Sequence, residues 1–435
     1  MKNPRLVMAG MLFLISCQSP SHSSKEPSLT AEQEQITSYF NELEKLLSGV
    51  GKEFWGKDLY GPLMVIDPQS RVFYANENNE AGSFEPIGSI YTDTLPHSLN
   101  IANTAFEWEG KRWTMVMSPL PESAVARNTH LAHELFHRIQ PEVGFTSFVE
   151  KDNAHLDSKM GRLYLRLECE ALIQALSSKD FQEAGTHLQR AWVFRKIRHT
   201  DEETAAAENS IELNEGICEY TGVMLGGRTK EALKPYFIDR LTAFQKSPSY
   251  LRTFAYECIP VYGYFLFQQD PQWHRKIDRE SNLTEFFQQQ FSFKLPEDLA
   301  AYTMQYRGSY GYEDILVQEE AREQEILAKI EGYKTLFLGE SSLALPLENM
   351  NLSFDYRDIM PLEAYGTVYP SIRITDNWGI LSAQKGALIS PEWNQVTVSA
   401  PIEFTDSLVI GEGWTLELHA GHTLLKEGQK YILQR

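Results

Sequence analysis

The chain has 435 residues, 42% hydrophobic and 23% charged, an ordinary globular balance too long for one small core. Forty Lys and Arg against 59 Asp and Glu give a net charge of -19, which argues against nucleic acid or an anionic membrane surface as a main partner. Its four cysteines, Cys17, Cys169, Cys218 and Cys258, include no Cys-x-x-Cys pair, which excludes a disulfide scaffold and a zinc knuckle.

Lys2 and Arg5 precede a short apolar run from Leu6 to Ile15, too short to span a bilayer, so residues 1–16 read as a signal peptide. Leu14-Ile15-Ser16-Cys17 resembles a bacterial lipobox, in which cleavage before the Cys leaves its thiol and amino group for lipid attachment. Residues 17–29, rich in Ser and Pro, read as a flexible lipidated tether. No other run approaches 18 apolar residues. The expectation is an exported bacterial lipoprotein, held at the outer membrane or cell surface by its N-terminus and facing the periplasm or the exterior.

Helical spacing runs from Leu29 to Val50, with Thr30 and Gln33 forming a capping-box pattern. Residues 63–75 and 103–118 then read as two β-hairpins, turning at Pro68-Gln69-Ser70 and at Glu109-Gly110. From Pro121 to about Gly332 the pattern is helical, with breaks near Pro141, Gly161, Ser177, Gly226 and Pro271. After Glu331 short apolar runs alternate with Gly, Pro and Asn turns, as in a small all-β sandwich or barrel. The expected fold class is α+β: a small N-terminal β-sheet packed on a mainly α-helical unit (30–333), followed by a C-terminal all-β domain (334–435).

Within the helical span, His133-Glu134-Leu135-Phe136-His137 is an HExxH motif. Positions i and i+4 of a helix differ by about 40°, so the two imidazoles can share one Zn²⁺ at about 2.0 Å, with Glu134 beside the open position as general base. Leu131, Ala132, Leu135, Phe136 and Ile139 form one apolar stripe, while His130, His133, Glu134 and His137 lie opposite. Two carboxylates compete as third ligand. Glu215 belongs to a stripe with Glu208, Glu212 and Glu219, with no Lys or Arg between Arg198 and Arg228, so the stripe is solvated or faces a cation. Glu168 sits between Leu165 and Leu172 on an apolar face and needs a partner: a metal, an Arg or a substrate amine. Cys169 and Cys218, each beside a candidate ligand, either pair or stay as buried thiols.

HELFH followed by Leu213-Asn214-Glu215-Gly216-Ile217-Cys218-Glu219-Tyr220 resembles the gluzincin metallopeptidases, and the Asn-Glu-Gly form is closest to the aminopeptidase N type. The resemblance implies a metallopeptidase-like helical domain in which His133, His137 and Glu215 bind Zn²⁺ and Glu134 is the base. By the thermolysin-like branch it also implies Glu219 as a partner of a zinc His, and Tyr256 or Tyr262 as oxyanion donor. It covers roughly residues 100–270 and departs in two ways. His137 and Glu215 are 78 positions apart, so helices are inserted between them, and Met117-Ser118-Pro119-Leu120 stands upstream where those relatives carry Gly-x-Met-Glu-Asn. Aminopeptidase action is therefore not implied. The expected function is zinc-dependent hydrolysis of a peptide or protein substrate; the alternative is a non-catalytic surface lipoprotein whose β-domain binds a protein or glycan.

Overall fold

The computed structural model describes residues 29–149, 151–354 and 359–435; the signal segment, Cys17 and nearly all of the tether lie outside them. Helix α1 (Ala31–Leu47) starts at Thr30, whose hydroxyl accepts the Gln33 N–H at 3.3 Å while the Gln33 side chain accepts the Thr30 N–H at 2.9 Å. That capping box sets the phase that buries Ile36, Phe40, Leu43 and Leu47. A short helix α2 (Val50–Trp55) follows, and its Trp55 indole donates to Thr221 Oγ1 at 3.0 Å.

Six strands then form one sheet: β1 (Leu63–Ile66), β2 (Val72–Ala75), β3 (Glu85–Ile87), β4 (Ile90–Thr94), β5 (Thr104–Trp108) and β6 (Lys111–Met117), in the order β3-β4-β2-β1-β6-β5. Both anticipated hairpins are present, β1 with β2 and β5 with β6, and a parallel pairing of β1 with β6 joins them. Glu109 and Gly110 turn the second hairpin at φ of 47° and 81°, the left-handed pair that a two-residue turn needs. Period-two alternation sends Leu63, Val65 and Val116 into the helical core and Met64, Ile66, Trp113 and Met115 into a second core on the other face. Among the described residues β5 has no strand on its other side and ends the sheet.

The helices are α3 (Ala124–Ile139), α4 (Lys159–Ser177), α5 (Phe181–Arg198), α6 (Glu202–Ile211), α7 (Ile217–Leu225), α8 (Lys230–Phe244), α9 (Phe254–Gln269), α10 (Leu283–Phe291), α11 (Leu299–Met304) and α12 (Tyr312–Phe337). The break near Gly161 falls at Ser158, the N-cap of α4, and Gly161 itself is helical. It lies in the first turn of α4, where Ser158 Oγ accepts its N–H at 3.1 Å and a Cβ would stand 1.9 Å from His155 O. α12 carries the helical pattern through Phe337, where Tyr333 and Phe337 pack with Leu362, Val368 and Leu388.

The C-terminal strands are β7 (Leu343–Pro346), β8 (Asn351–Phe354), β9 (Met360–Pro361), β10 (Thr367–Tyr369), β11 (Ile372–Asp376), β12 (Gly379–Ala383), β13 (Ala387–Ile389), β14 (Gln395–Val398), β15 (Pro401–Phe404), β16 (Leu408–Gly411), β17 (Trp414–Leu418), β18 (Thr423–Glu427) and β19 (Lys430–Gln434). They form antiparallel sheets ordered β7-β14-β13-β10-β9 and β15-β16-β17-β12-β11-β8, with β18 and β19 as a hairpin. Leu343 and Val396 of one sheet share a core with Ile374, Leu381 and Leu416 of the other. The α+β class read from the sequence, with its N-terminal sheet, helical middle and all-antiparallel C-terminal sheets, is the observed one.

Candidate metal centre

The site begins on α3, where the helical repeat stacks His133 and His137 one turn apart with their Nε2 atoms 3.2 Å from each other. Each ring is fixed through its other nitrogen. His133 Nδ1–H donates to Glu219 Oε2 at 3.0 Å, and His137 Nδ1–H to Gln140 Oε1 at 2.8 Å, so in the neutral rings both Nε2 lone pairs turn to the same point.

α7 crosses α3 closely because it presents glycine there. A Cβ on Gly222 would lie 2.5 Å from Thr129 O and 3.2 Å from His133 N, and one on Gly226 would lie 2.3 Å from Thr129 Oγ1. Between α6 and α7 the helix widens into a π-turn, Glu212–Gly216. The wide turn brings Glu215 Oε2 to 3.5 Å from His133 Nε2 and 3.4 Å from His137 Nε2. Its Asn214 carbonyl accepts from Gln140 Nε2 at 2.9 Å and from Cys218 Sγ at 2.8 Å, tying the turn to the C-terminal end of α3. From α9, the Tyr256 hydroxyl donates to Glu215 Oε2 at 2.5 Å, and its ring stacks on His133 at 5.5 Å.

Negative charge dominates this cluster. Burial lowers the His133 imidazole, but hydrogen bonds to Glu215 and Glu219 win and push it up to about 10. Burial likewise opposes charge on Glu215, yet His133, His137 and Tyr256 hold its carboxyl far below the usual range. Glu219 is held low by His133 and by Arg240 of α8, which donates to Glu219 Oε1 at 2.5 Å and is itself shared with Glu257. Glu134 is 5% exposed, and its Oε2 has no hydrogen-bond partner among the described residues. His133, His137 and Cys218 form a group, two of them buried, whose ligand atoms lie within 4.8 Å of one another and which can hold a metal ion. Beside them opens a cleft of about 270 Å³, lined by Asn103, Thr104 and Ala105 at the β5 edge of the sheet and by His137, Gln140 and Glu215.

Two sequence candidates lie elsewhere. Glu168 is fully buried and accepts from Arg195 Nε at 2.9 Å, Arg198 Nη1 at 2.7 Å and the Tyr262 hydroxyl at 3.0 Å. The partner of the inward Glu168 is thus Arg, and Tyr262 is spent on the same carboxylate rather than on the histidines. The Glu stripe also divides. Glu208 is paired bidentately with Arg198 and Glu212 lies 2.6 Å from Arg195, whereas Glu215 and Glu219 go to the histidines. The three described cysteines are buried free thiols, and Cys169 neighbours Cys258 rather than Cys218. Gln140, Arg240 and Gly222 were not anticipated, and Gly226 was anticipated only as a helix break; the spacing of four between the two glycines is a local signal. Searches of family models, curated proteins and solved structures find no match to this chain.

Proposed function

We propose that the chain is a zinc-dependent peptidase in which His133, His137 and Glu215 are the metal ligands and Glu134 is the general base. One observation carries this reading: His133 Nε2, His137 Nε2 and Glu215 Oε2 form a triangle with edges of 3.2, 3.5 and 3.4 Å. Tetrahedral bonds of about 2.0–2.1 Å set neighbouring donors about 3.3 Å apart, so the three atoms have the spacing of ligands to one small cation. Cys218 competes on proximity, with its Sγ 3.4 Å from His137 Nδ1. Geometry favours Glu215, because that nitrogen is already paired with Gln140 and the thiol gives its proton to Asn214 O.

When bound, a zinc ion with three protein ligands supplies a Lewis acid and acidifies a water in its fourth position. The remaining work belongs to the chain. Glu134, with one carboxylate oxygen free of partners among the described residues, takes the proton of the attacking water and passes it to the leaving amine. Tyr256 reaches a developing oxyanion once its hydroxyl leaves Glu215. The edge of β5 offers backbone N–H and C=O groups along which an extended peptide can pair, and this supports a peptide as substrate. Export and lipid attachment at Cys17 belong to the same proposal and rest on the first 17 residues.

Elemental analysis of protein purified with zinc, combined with cleavage of a mixed peptide library, tests the reading. Wild type and Glu134→Gln should each hold one equivalent of zinc, with hydrolysis in the variant reduced by about 10²–10⁴. Glu215→Ala should lose the metal. Absence of stoichiometric metal in wild type, or full activity in Glu134→Gln, would overturn it and favour the partner-binding alternative.

A further inference from the structure

The cleft beside the donor triangle has a polar wall. Of its eight lining residues only Ala105 is apolar, and only Arg112 carries a fixed positive charge. Its volume of about 270 Å³ is near the lower end for small-ligand sites, so it holds one or two residues of a chain rather than a folded partner. Without an apolar wall, a hydrophobic side chain gains little there. Selectivity must come from polar groups.

Most polar groups in the cleft are already committed. Asn214 Nδ2 donates to Glu215 Oε1 at 3.1 Å, and the Gln140 amide bridges His137 and Asn214. Arg112 is held but not used up. Its Nε donates to Arg138 O at 3.0 Å, which fixes the guanidinium plane, and Nη1 donates to Glu107 Oε1 at 3.1 Å; among the described residues Nη2 has no partner. Glu107 faces Arg112 across β5 and β6 and is 69% exposed, so the pair exchanges readily with solvent. A carboxylate from solution can take both Nη edges in the forked geometry that a guanidinium prefers. In a chain of net charge -19, attraction for an anion has to be local, and this guanidinium shares the cleft with Glu215.

We infer that Arg112 recognises a carboxylate on the substrate, so that the preferred substrates are peptides presenting an acidic side chain or a free C-terminus at that end of the cleft. This rests on the peptidase reading of the adjoining site, and Glu107 acts as a built-in competitor for the same guanidinium.

Two measurements test it. Peptides of one sequence, bearing an internal Glu or Gln and ending in a free acid or an amide, are compared by kcat/KM in wild type, Arg112→Gln and Glu107→Gln. The acid-to-neutral ratio should fall about ten- to a hundredfold in Arg112→Gln and rise about twofold in Glu107→Gln. The peptide pair that carries the effect separates side chain from terminus. The same peptides are titrated by calorimetry onto zinc-supplemented Glu134→Gln, with and without Arg112→Gln. A carboxylate preference in binding without cleavage by wild type would leave the inference standing and remove the peptidase reading. Equal ratios in all three proteins, equal binding of acid and neutral peptides, or no binding of either would overturn the inference.

Discussion

Glu212 and Glu215 are three residues apart in one π-turn, yet their carboxyls have opposite fates. Glu215 lies among histidines and is held ionised. Glu212 is fully buried, and burial outweighs Arg195 to push it up to about 7. The 2.6 Å contact of Glu212 with Arg195 lacks hydrogen-bond alignment, for among the described residues neither Glu212 oxygen nor either Arg195 Nη atom has a hydrogen-bond partner. A carboxyl raised in the folded state binds its proton more tightly there than in the unfolded chain. Its contribution to stability is present below pH of about 4.5 and is lost as pH rises through about 7. Glu212→Gln should therefore gain stability relative to wild type on going from pH 5 to pH 8, as read by urea unfolding. An unchanged difference would mean that Glu212 stays ionised throughout. His199, which also contacts Glu208, is pushed down by burial, so the comparison with the variant is needed rather than the wild-type slope alone.

At the scale of elements, the centre depends on how closely α3 and α7 cross. Gly222→Ala would drive a methyl against the Thr129 carbonyl and the His133 backbone, which cannot give as a flexible side chain would. The expected cost is about 1–3 kcal/mol, measured by thermal denaturation, with a shift of His133 that chelator competition should register as weaker metal binding. A loss below about 0.5 kcal/mol would be incompatible with so tight a crossing. The sequence made α3 legible because its 3.6-residue period puts four polar positions opposite five apolar ones. It also made α1 and both hairpins legible, through the capping box and the turn residues. The π-turn was not legible. In an unbroken helix Glu208, Glu212, Glu215 and Glu219 share one face, but one extra residue in a turn rotates the later pair by about 100°. The cations that answer the stripe come from α5 and α8, and no local pattern announces a partner supplied from another element. β3 and β4 escaped because they are short, half-exposed and interrupted by Pro86.

Across the whole molecule, α12 links the helical region to the C-terminal sheets. Near its start Glu319, 2% exposed, accepts from Arg162 Nε and Arg166 Nη1, each at 2.8 Å; near its end Tyr333 and Phe337 pack with the C-terminal core. Glu319→Ala would leave Arg166 without a carboxylate and the buried Arg162 with Asp157 alone, 3.3 Å away, at a cost of about 1–3 kcal/mol in urea unfolding. A cost under 1 kcal/mol would show that solvent reaches the pair. The donor triangle spans the chain in a comparable way, for His137 and Glu215 stand 78 positions apart with α4, α5 and α6 between them. An ion shared by those residues would act as a covalent staple does, closing a loop whose constraint on the unfolded chain is worth roughly 4 kcal/mol by the loop-closure estimate used for disulfides. On that view a chelator is this protein's reducing agent: it would release all three intervening helices together, and protease nicking between residues 144 and 210 would report the release.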